Sequence, residues 1–417
     1  MVFIDDLANE GLKDSKGEKG QLTSFEGFTL SSAFHPIISI THRRAVGYEA
    51  LIRAKDEKGK PCSHLSLFSL PRSSVEVLAL DRTCRQLHIN NFSGQETVDE
   101  WLFINLDAQG IESERPAMGF MLDLLARYEL PPQRIVIEIL EHEIDDREYL
   151  KGLIKHFREM GCLIAIDDFG AGHSNFERIW DLEPDIVKLD KSLVSRAANI
   201  SKVKRILSVM VSLIHETGCL VVIEGVETKG EALIAIDVDA DMVQGFYFAL
   251  PDAMINSNLE LDTTLTELVQ LQRLQARKQT QQLDYYFNRF HELFEKAMCV
   301  LVENKSLDQA ADIIFREERE IRCFLLDEVG YQKGSTIHAK PYERQFDKLV
   351  LPLLSGKNAS WSHKYYHFRA INQPDKLQVT RPYLSVAGLQ MCITVSKAFE
   401  LEGNVFVFCC DLYWQDN

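Results

Sequence analysis

The run Ile164-Ala165-Ile166-Asp167-Asp168-Phe169-Gly170-Ala171-Gly172-His173-Ser174-Asn175 ends an apolar stretch on two adjacent carboxylates and then enters a glycine-rich turn. Successive side chains of a β-strand point to opposite faces, so aspartates at its last two positions suit a cation held where the chain leaves the sheet. A solvated acidic turn explains a lone Asp-Asp pair as well. What separates the two readings is recurrence. Glu49 follows Tyr48, Asn105 ends Phe103-Ile104-Asn105, and Glu138 interrupts Ile137-Glu138-Ile139-Leu140-Glu141. Lys188 and Asp190 fall in Ile186-Val187-Lys188-Leu189-Asp190, Glu224 and Glu227 follow Val221-Val222-Ile223, and Gln244 follows Met242-Val243. Any one of these reads as a structural charge with a nearby partner. The same placement on successive apolar runs is a poor product of chance. Glu, Asn and Asp are hard-oxygen ligands suited to Mg²⁺ or Mn²⁺. Two such ions can share a bridging carboxylate, and a lysine among the acids can assist an attacking water.

The elements that must position these residues alternate between short apolar runs and longer amphipathic ones, the pattern of parallel β-α units. Strands are expected at Phe34–Ile40, Val46–Ile52, Leu102–Leu106, Ile135–Leu140, Leu163–Ile166, Ile186–Leu189, Leu220–Ile223 and Met242–Phe246. Leu150, Leu153, Ile154 and Phe157 line one face of an intervening helix, and Ile206, Met210, Leu213 and Ile214 that of another. Eight strands with interleaved helices make a (β/α)8-type barrel the expected α/β fold. Its C-terminal strand ends open onto one face, where residues distant in sequence converge.

These residues resemble the EAL family of cyclic di-GMP phosphodiesterases across about residues 28–252. Seven separated motifs stand in family order: EALIR at Glu49-Ala50-Leu51-Ile52-Arg53, then FINL, EILE, DDFGAG, VKLD, EGVE and QGF. The resemblance implies a modified TIM-type barrel whose first strand runs antiparallel, which replaces the all-parallel expectation for Phe34–Ile40. It also implies that Glu49, Asn105, Glu138 and Asp167 hold one divalent ion, with Asp167 bridging to a second that Asp168 also binds. Glu224 would support the water shell, Lys188 would position or activate the attacking water, and Gln244 would hold the metal-water-substrate network. Arg53 matches the arginine on a substrate phosphate, a task that suits a planar, permanently charged fork; Leu51 and Gln244 would also meet the substrate. Glu141 matches a residue anchoring the loop after the paired aspartates, Asp190 a buried partner on the lysine strand, and Glu227 a structural acid. The implied reaction is hydrolysis of cyclic di-GMP to linear pGpG with two Mg²⁺ or Mn²⁺ ions, in a homodimer. A receptor that binds the dinucleotide without cleaving it is the alternative. Two departures from the family pattern are Ala171-Gly172-His173-Ser174-Asn175 in the loop and His35-Pro36 where Gln-Pro is usual; neither removes a metal or lysine position. The chain carries no GG(D/E)EF signature of a cyclase and no HD dyad with a downstream GYP.

Composition bounds the partners. The 417 residues hold 46 Lys and Arg against 62 Asp and Glu, a net charge of -16, which argues against non-specific nucleic-acid binding. An anionic substrate is compatible because bound dications would reverse the local charge. No apolar run reaches the ~18 residues needed to span a bilayer. Met1-Val2-Phe3-Ile4-Asp5-Asp6 lacks the basic start and apolar core of a signal peptide, so the cytoplasm is the expected location. Nine scattered cysteines read as reduced, mostly buried thiols.

The expected organisation is a polar lead-in at 1–27, the barrel at 28–255, a connecting helix at 256–300 and a regulatory domain at 301–417. The helical stripe Leu261, Leu265, Leu268 and Leu271, then Leu283, Phe287, Phe290 and Phe294, is expected to pack on the chain's own domains, with a dimeric coiled coil as the alternative. Beyond it, a helix through Ala311, Ile314 and Phe315 precedes strands expected at Ile321–Leu326, Tyr365–Ala370, Gly388–Ser396 and Asn404–Leu412, with a turn at Asp327–Gly334. The order loosely resembles a PAS-like or Cache-like sensor, whose ligand or partner it does not name. Cys392, Cys409 and Cys410 read as core residues. Trp361, Tyr365, Tyr366 and Phe368 could line a pocket or pack the sheet.

Overall fold

Short runs of β-branched and aliphatic residues buried on both faces form parallel strands, because helices cover the outer face and a packed core fills the inner one. The computed structural model describes residues 20–71, 73–106, 119–140, 147–172, 176–256, 261–316, 320–339, 356–385 and 391–414. Its first strands are β1 (Thr23–Phe25), β2 (Phe28–Ser39), β3 (Arg44–Lys55), β4 (Pro61–Cys62), β5 (Trp101–Asn105), β6 (Ile135–Leu140), β7 (Leu163–Phe169), β8 (Ile186–Leu189), β9 (Leu220–Ile223) and β10 (Met242–Val243). Helices α1 (His64–Phe68), α2 (Ser74–Ser93), α3 (Gly119–Arg127), α4 (Arg147–Met160), α5 (Phe176–Leu182), α6 (Lys191–Asn199), α7 (Ser201–Glu216) and α8 (Lys229–Asp237) lie between them.

The pairing order β2-β10-β9-β8-β7-β6-β5-β3 closes through β2–β3 into an eight-stranded barrel. Only β2 runs against the rest of this ring: it is antiparallel to both β3 and β10, while the other neighbours in the ring are parallel. The expectation of one antiparallel strand at the start of the barrel therefore holds. β1 and β4 are short additions paired to β2 and β3.

The barrel interior is plugged by Ile37, Phe103, Val136, Ala165, Ile186, Val222 and Met242, all nearly or completely buried. Gly47 completes this layer, since a Cβ there would lie 2.6 Å from the Phe103 ring. The alternate strand residues, such as Ile104, Ile137, Ile164, Val187 and Val221, face outward against the helices. Of the two helical stripes expected, Leu150, Leu153, Ile154 and Phe157 of α4 are all buried. On α7 the stripe is displaced: Leu207, Val211 and Ile214 are buried, whereas Ile206 is 52% and Leu213 40% exposed. Two apolar series run side by side on that helix, and the one at i, i+4, i+7 faces the strands.

The described residues up to Leu274 and those from Gln275 onward form two compact units. The long α9 (Leu261–Asn304) contributes Leu261, Leu265 and Leu268 to the core of the first and Phe290, Phe294, Ala297, Met298 and Leu301 to that of the second. The second unit continues with α10 (Leu307–Ile314), β11 (Glu320–Asp327), β12 (Gln332–His338), α11 (Tyr365–Asn372), β13 (Gln378–Val379), β14 (Tyr383–Leu384), β15 (Met391–Leu401) and β16 (Asn404–Tyr413). Its sheet runs β12-β11-β16-β15-β13, antiparallel throughout, with β14 also on β15. Glu402 and Gly403, both at positive φ, make the tight turn between β15 and β16. Tyr365–Ala370, expected as a strand, is instead the body of α11. Tyr366, His367 and Ala370 are its buried residues, a helical spacing that the β-forming aromatic composition obscured. The start of the strand expected at Gly388–Ser396 lies outside the described residues, as does Glu141.

Candidate functional site

Each plug residue has a polar successor two positions further toward the mouth of the barrel. Strand periodicity puts residues i and i+2 on the same face, so Phe103 leads to Asn105, Val136 to Glu138, Ala165 to Asp167, Ile186 to Lys188, Val222 to Glu224 and Met242 to Gln244. Gly47, in register with Trp101 and Ile37, leads likewise to Glu49. On the antiparallel β2 the same step runs backward, from Ile37 to His35, which pairs in register with Glu49. The predicted acids, amides and lysine thus form one layer above an apolar floor. His35 is the member whose place sequence reasoning did not find; the reversed strand was its signal.

Lys188 is the centre of this layer. Its Nζ lies 2.5 Å from Glu138 Oε1, 2.6 Å from Glu224 Oε1, 3.1 Å from Asp167 Oδ1 and 3.9 Å from Glu49 Oε2. Glu49 is oriented from both sides: Gln244 Nε2 donates to Oε2 at 2.8 Å and Asn105 Nδ2 to Oε1 at 3.1 Å. One set of ligand oxygens, from Glu49, Glu138 and Asp167, lies within 4.8 Å of one another, as does a second set from Asp167, Asp168 and Glu224. Asp167 is common to both.

Consecutive strand residues face opposite ways, and Asp168 escapes this rule by its backbone. It has φ 55°, and the β7–β8 register shifts between Ile166 and Phe169. A left-handed conformation at a non-glycine residue is strained and is maintained by its surroundings. Here Asp168 N–H donates to Asp167 Oδ1 at 3.0 Å. Gly170 follows at φ 104°, where a Cβ would lie 2.3 Å from Leu193 Cδ1.

The remaining predicted residues divide between a cleft and the framework. Arg53 is exposed, with its Nη1 donating to Ile52 O at 3.1 Å. With Leu51, Asn105, Asp168 and residues of α2 it lines a cleft of about 740 Å³. The α2 contribution, Asp81, Arg85 and His88, was not foreseen; its signal was an acid-base pair at i, i+4 on a largely buried helix. Asp190 caps α6, accepting from Ser192 N–H at 3.0 Å. Glu227 is paired with Lys191 rather than brought into the ring.

Crowding of carboxylates in a dry site controls their ionisation. Burial, with the Glu49 and Asp167 charges, holds Glu138 well above the usual carboxylate range despite Lys188. Burial likewise pushes Glu224 up to about 8, and burial and Asp167 raise Asp168. Glu49 is lowered because Lys188, Gln244 and Asn105 together outweigh its burial. Lys188 is raised well above the usual lysine value, its burial being overcome by Asp167, Glu138, Glu224 and Glu49. Despite its short contact with Lys188, Glu138 accepts no well-directed hydrogen bond on either oxygen among the described residues. An under-satisfied buried carboxylate, a second held toward protonation, and a purely oxygen donor set fit a hard divalent cation.

An EAL domain model matches residues 21–251. The chain belongs to the EAL family. Two relatives mark its place there. The signaling protein YkoW of Bacillus subtilis is 27% identical over 224 residues, 52% of this chain and 28% of YkoW. The cyclic di-GMP phosphodiesterase RocR of Pseudomonas aeruginosa is 32% identical over 130 residues, 31% of this chain and 33% of RocR. The chain thus spans about a third or less of either relative. Among solved EAL-family structures, Bacillus subtilis YkuI in complex with c-di-GMP and calcium superposes with TM-score 0.75 at 21% identity, covering 93% of this chain and 97% of that one. That likeness of fold reaches past the barrel into the second unit. A manganese and cyclic di-GMP complex of Klebsiella pneumoniae BlrP1 gives TM-score 0.51 at 26% identity, covering 57% of this chain and 60% of that one. No described helix is long and apolar enough to cross a membrane.

Proposed function

We propose that the barrel hydrolyses cyclic di-GMP to linear pGpG with two divalent cations, Mg²⁺ or Mn²⁺. The observation that carries this reading is the sharing of Asp167 by two oxygen clusters around Lys188. Glu49, Asn105, Glu138 and Asp167 would hold one ion, and Asp167 and Asp168, with Glu224 beside them, the other. When bound, such ions make water nucleophilic at neutral pH and neutralise charge growing on the phosphate oxygens.

The chain's own groups do the rest. Gln244 and Asn105 fix both oxygens of Glu49, so that side chain is oriented before any ligand arrives. Lys188, held in its ammonium form, is a hydrogen-bond donor rather than a base. Its Nζ orients the attacking water and leaves proton acceptance to the surrounding carboxylates. Arg53 at the rim offers its guanidinium fork to a non-bridging phosphate oxygen pair. Leu51 and the α2 wall enclose the nucleoside. The ring of plug residues closes the floor, so water reaches the phosphate only from the mouth.

The second unit serves as a PAS-like regulatory domain in this reading, and the protein acts in the cytoplasm as a homodimer. The fold match to YkuI, which covers 93% of this chain, supports a folded second unit after the barrel. The test is incubation of the full chain with cyclic di-GMP and Mg²⁺ or Mn²⁺, followed by separation of nucleotides. Formation of pGpG that stops with a chelator is expected. Saturable binding of cyclic di-GMP with no product over hours would instead make the protein a receptor.

A further inference from the structure

The second unit contains a concavity of about 460 Å³ where the start of α11 faces the segment leading from β13 into β14. Three cations line it, Lys364, Arg369 and Arg381, together with Tyr365, Tyr366 and Tyr383, and among the described residues no carboxylate does. In a chain of net charge -16 this is a local reversal of sign. None of the three cations makes an ion pair among the described residues, although the unit's other lysines and arginines include several that do, such as Lys305, Arg322, Lys333 and Lys397.

Two of the cations are already set against rings. Lys364 Nζ lies 5.9 Å from the centroid of the Tyr383 ring, and the Arg369 guanidinium 5.6 Å from that of Tyr365. The Tyr383 wall is anchored from behind. Its hydroxyl is 2.6 Å from Thr394 Oγ1, which donates to Asp411 Oδ1 at 2.7 Å. Asp411 in turn accepts from Arg322 Nε at 2.6 Å, and Arg322 Nη2 donates to Ser385 Oγ at 2.8 Å. Thr394, Asp411 and Arg322 are buried. A satisfied polar chain of this kind fixes the ring at the cavity edge before a ligand enters, which lowers the ordering cost of binding.

We propose that this concavity is a ligand site for a small organic anion that carries a planar ring, the chemistry shared by a nucleoside monophosphate and an aromatic carboxylate. The anionic group meets Arg369, Arg381 and Lys364, for which paired or forked cations are the natural receptors. The ring stacks on Tyr365 or Tyr383, neither of which is fully buried, as planar ligands do on accessible aromatic faces. The volume lies within the range of small-molecule clefts and is too small for a polymer. The site is separate from the barrel chemistry and does not depend on it.

The experiment is calorimetric titration of the full chain in the presence of a chelator, which removes divalent-dependent binding at the barrel. The probes are GMP, salicylate and inorganic phosphate, each run against the wild type and an Arg369→Glu/Arg381→Glu double variant. Both substitutions are at exposed side chains. Expected is one saturable site per chain for GMP or salicylate, inorganic phosphate at least about tenfold weaker, and a loss of at least about tenfold in the double variant with its melting temperature unchanged. GMP alone would assign the site to phosphorylated nucleosides, salicylate alone to aromatic carboxylates. Absence of saturation by both ring-bearing probes up to about 1 mM, or equal affinity in the double variant, would overturn the proposal.

Discussion

Lys188 Nζ and Glu138 Oε1 approach to 2.5 Å at a depth where their side chains are 1% and 0% exposed. The lysine is thus an internal cation for a carboxylate cluster that a metal ion would otherwise neutralise. Replacing it with methionine, of similar length and no charge, leaves the acids uncompensated. The metal-free Lys188→Met variant is expected to be less stable than wild type by about 3–5 kcal/mol, the cost of breaking a buried pair. Added Mn²⁺ is expected to raise its melting temperature by more than it raises that of the wild type. Hydrolysis is expected to fall by roughly 10²–10⁴ through loss of the water-orienting donor. Thermal unfolding with and without Mn²⁺ checks the first two, and a product assay the third.

A different pair orients Glu49, the first of the proposed metal ligands. Gln244 Nε2 donates to Glu49 Oε2 at 2.8 Å from just after the last barrel strand, 195 residues away. Removing that donor in Gln244→Leu leaves Glu49 free to rotate while every carboxylate remains. Metal affinity is expected to drop about 10–100-fold, as for other residues that orient a ligand. Glu49→Ala should lose more, because it removes the ligand itself. Titration of both variants with Mn²⁺ would expose an unimportant contact as unchanged affinity in Gln244→Leu.

The acids of the ring became legible for a simple reason: each interrupts or directly follows an apolar run, where a charge has no place in a packed core. The amide Asn105 and the lysine stood out in the same way. His35 did not, because on the reversed β2 the residue at the site lies before the plug residue Ile37 rather than after it. Arg85 and Asp81 sit on a helix whose role as a cleft wall depends on tertiary placement. Two errors of detail have a common cause. On α7 the exposed Ile206 and Leu213 run beside the buried Leu207 and Val211, and hydrophobicity alone does not rank two neighbouring stripes. In α11 the aromatic run Tyr365, Tyr366 and Phe368 imitates a strand, although Tyr365 and Phe368 are exposed and Tyr366 and Ala370 carry the packing.

Proton release should accompany metal binding. Burial holds Glu138 and Glu224 above the ordinary carboxylate range, Glu224 at about 8. The metal-free native state therefore binds more protons than the unfolded chain between the unfolded carboxylate value and about pH 8. The sign follows: native stability without metal falls as pH rises through that window. Mn²⁺ affinity moves the other way and should rise with pH until Glu224 is ionised, then level off. Calorimetry at pH 6, 7 and 8 in buffers of different ionisation enthalpy reads the released protons directly. A pH-independent affinity with no proton release would contradict the burial argument.

Gly245 is expected to tolerate no side chain. Its φ of 159° is one that side-chain-bearing residues rarely adopt, and space is lacking as well: an added Cβ would lie 2.1 Å from Val226 O and 2.3 Å from Val226 N. Both atoms belong to the main chain that accompanies Glu224, and Val226 N–H bonds to Gln244 O at 3.0 Å. Gly245→Ala must therefore push apart the two segments that carry Glu224 and Gln244. A destabilisation of about 3 kcal/mol is expected, with hydrolysis falling further than stability alone explains. Urea unfolding together with product formation at a temperature where both proteins are folded separates the two effects.

The second unit has its own buried charge pair, and its removal should be felt there. Arg322 and Asp411 are 6% and 1% exposed at the side chain, with Nη2 2.5 Å from Oδ2. Thr394 and Ser385 complete their hydrogen bonds, so the pair is satisfied as it stands. Asp411→Ala removes the acceptor and strands a guanidinium between β11 and β16, at an expected cost of about 3–5 kcal/mol. Because Arg322 and Asp411 are partners in the register of those strands, the loss should appear as faster amide exchange in β11, β15 and β16. The barrel strands β5 to β9 have their own core and should keep their protection. Hydrogen exchange read by mass spectrometry on the full chain gives both answers in one measurement, and uniform loss of protection in the two units would show that they unfold together.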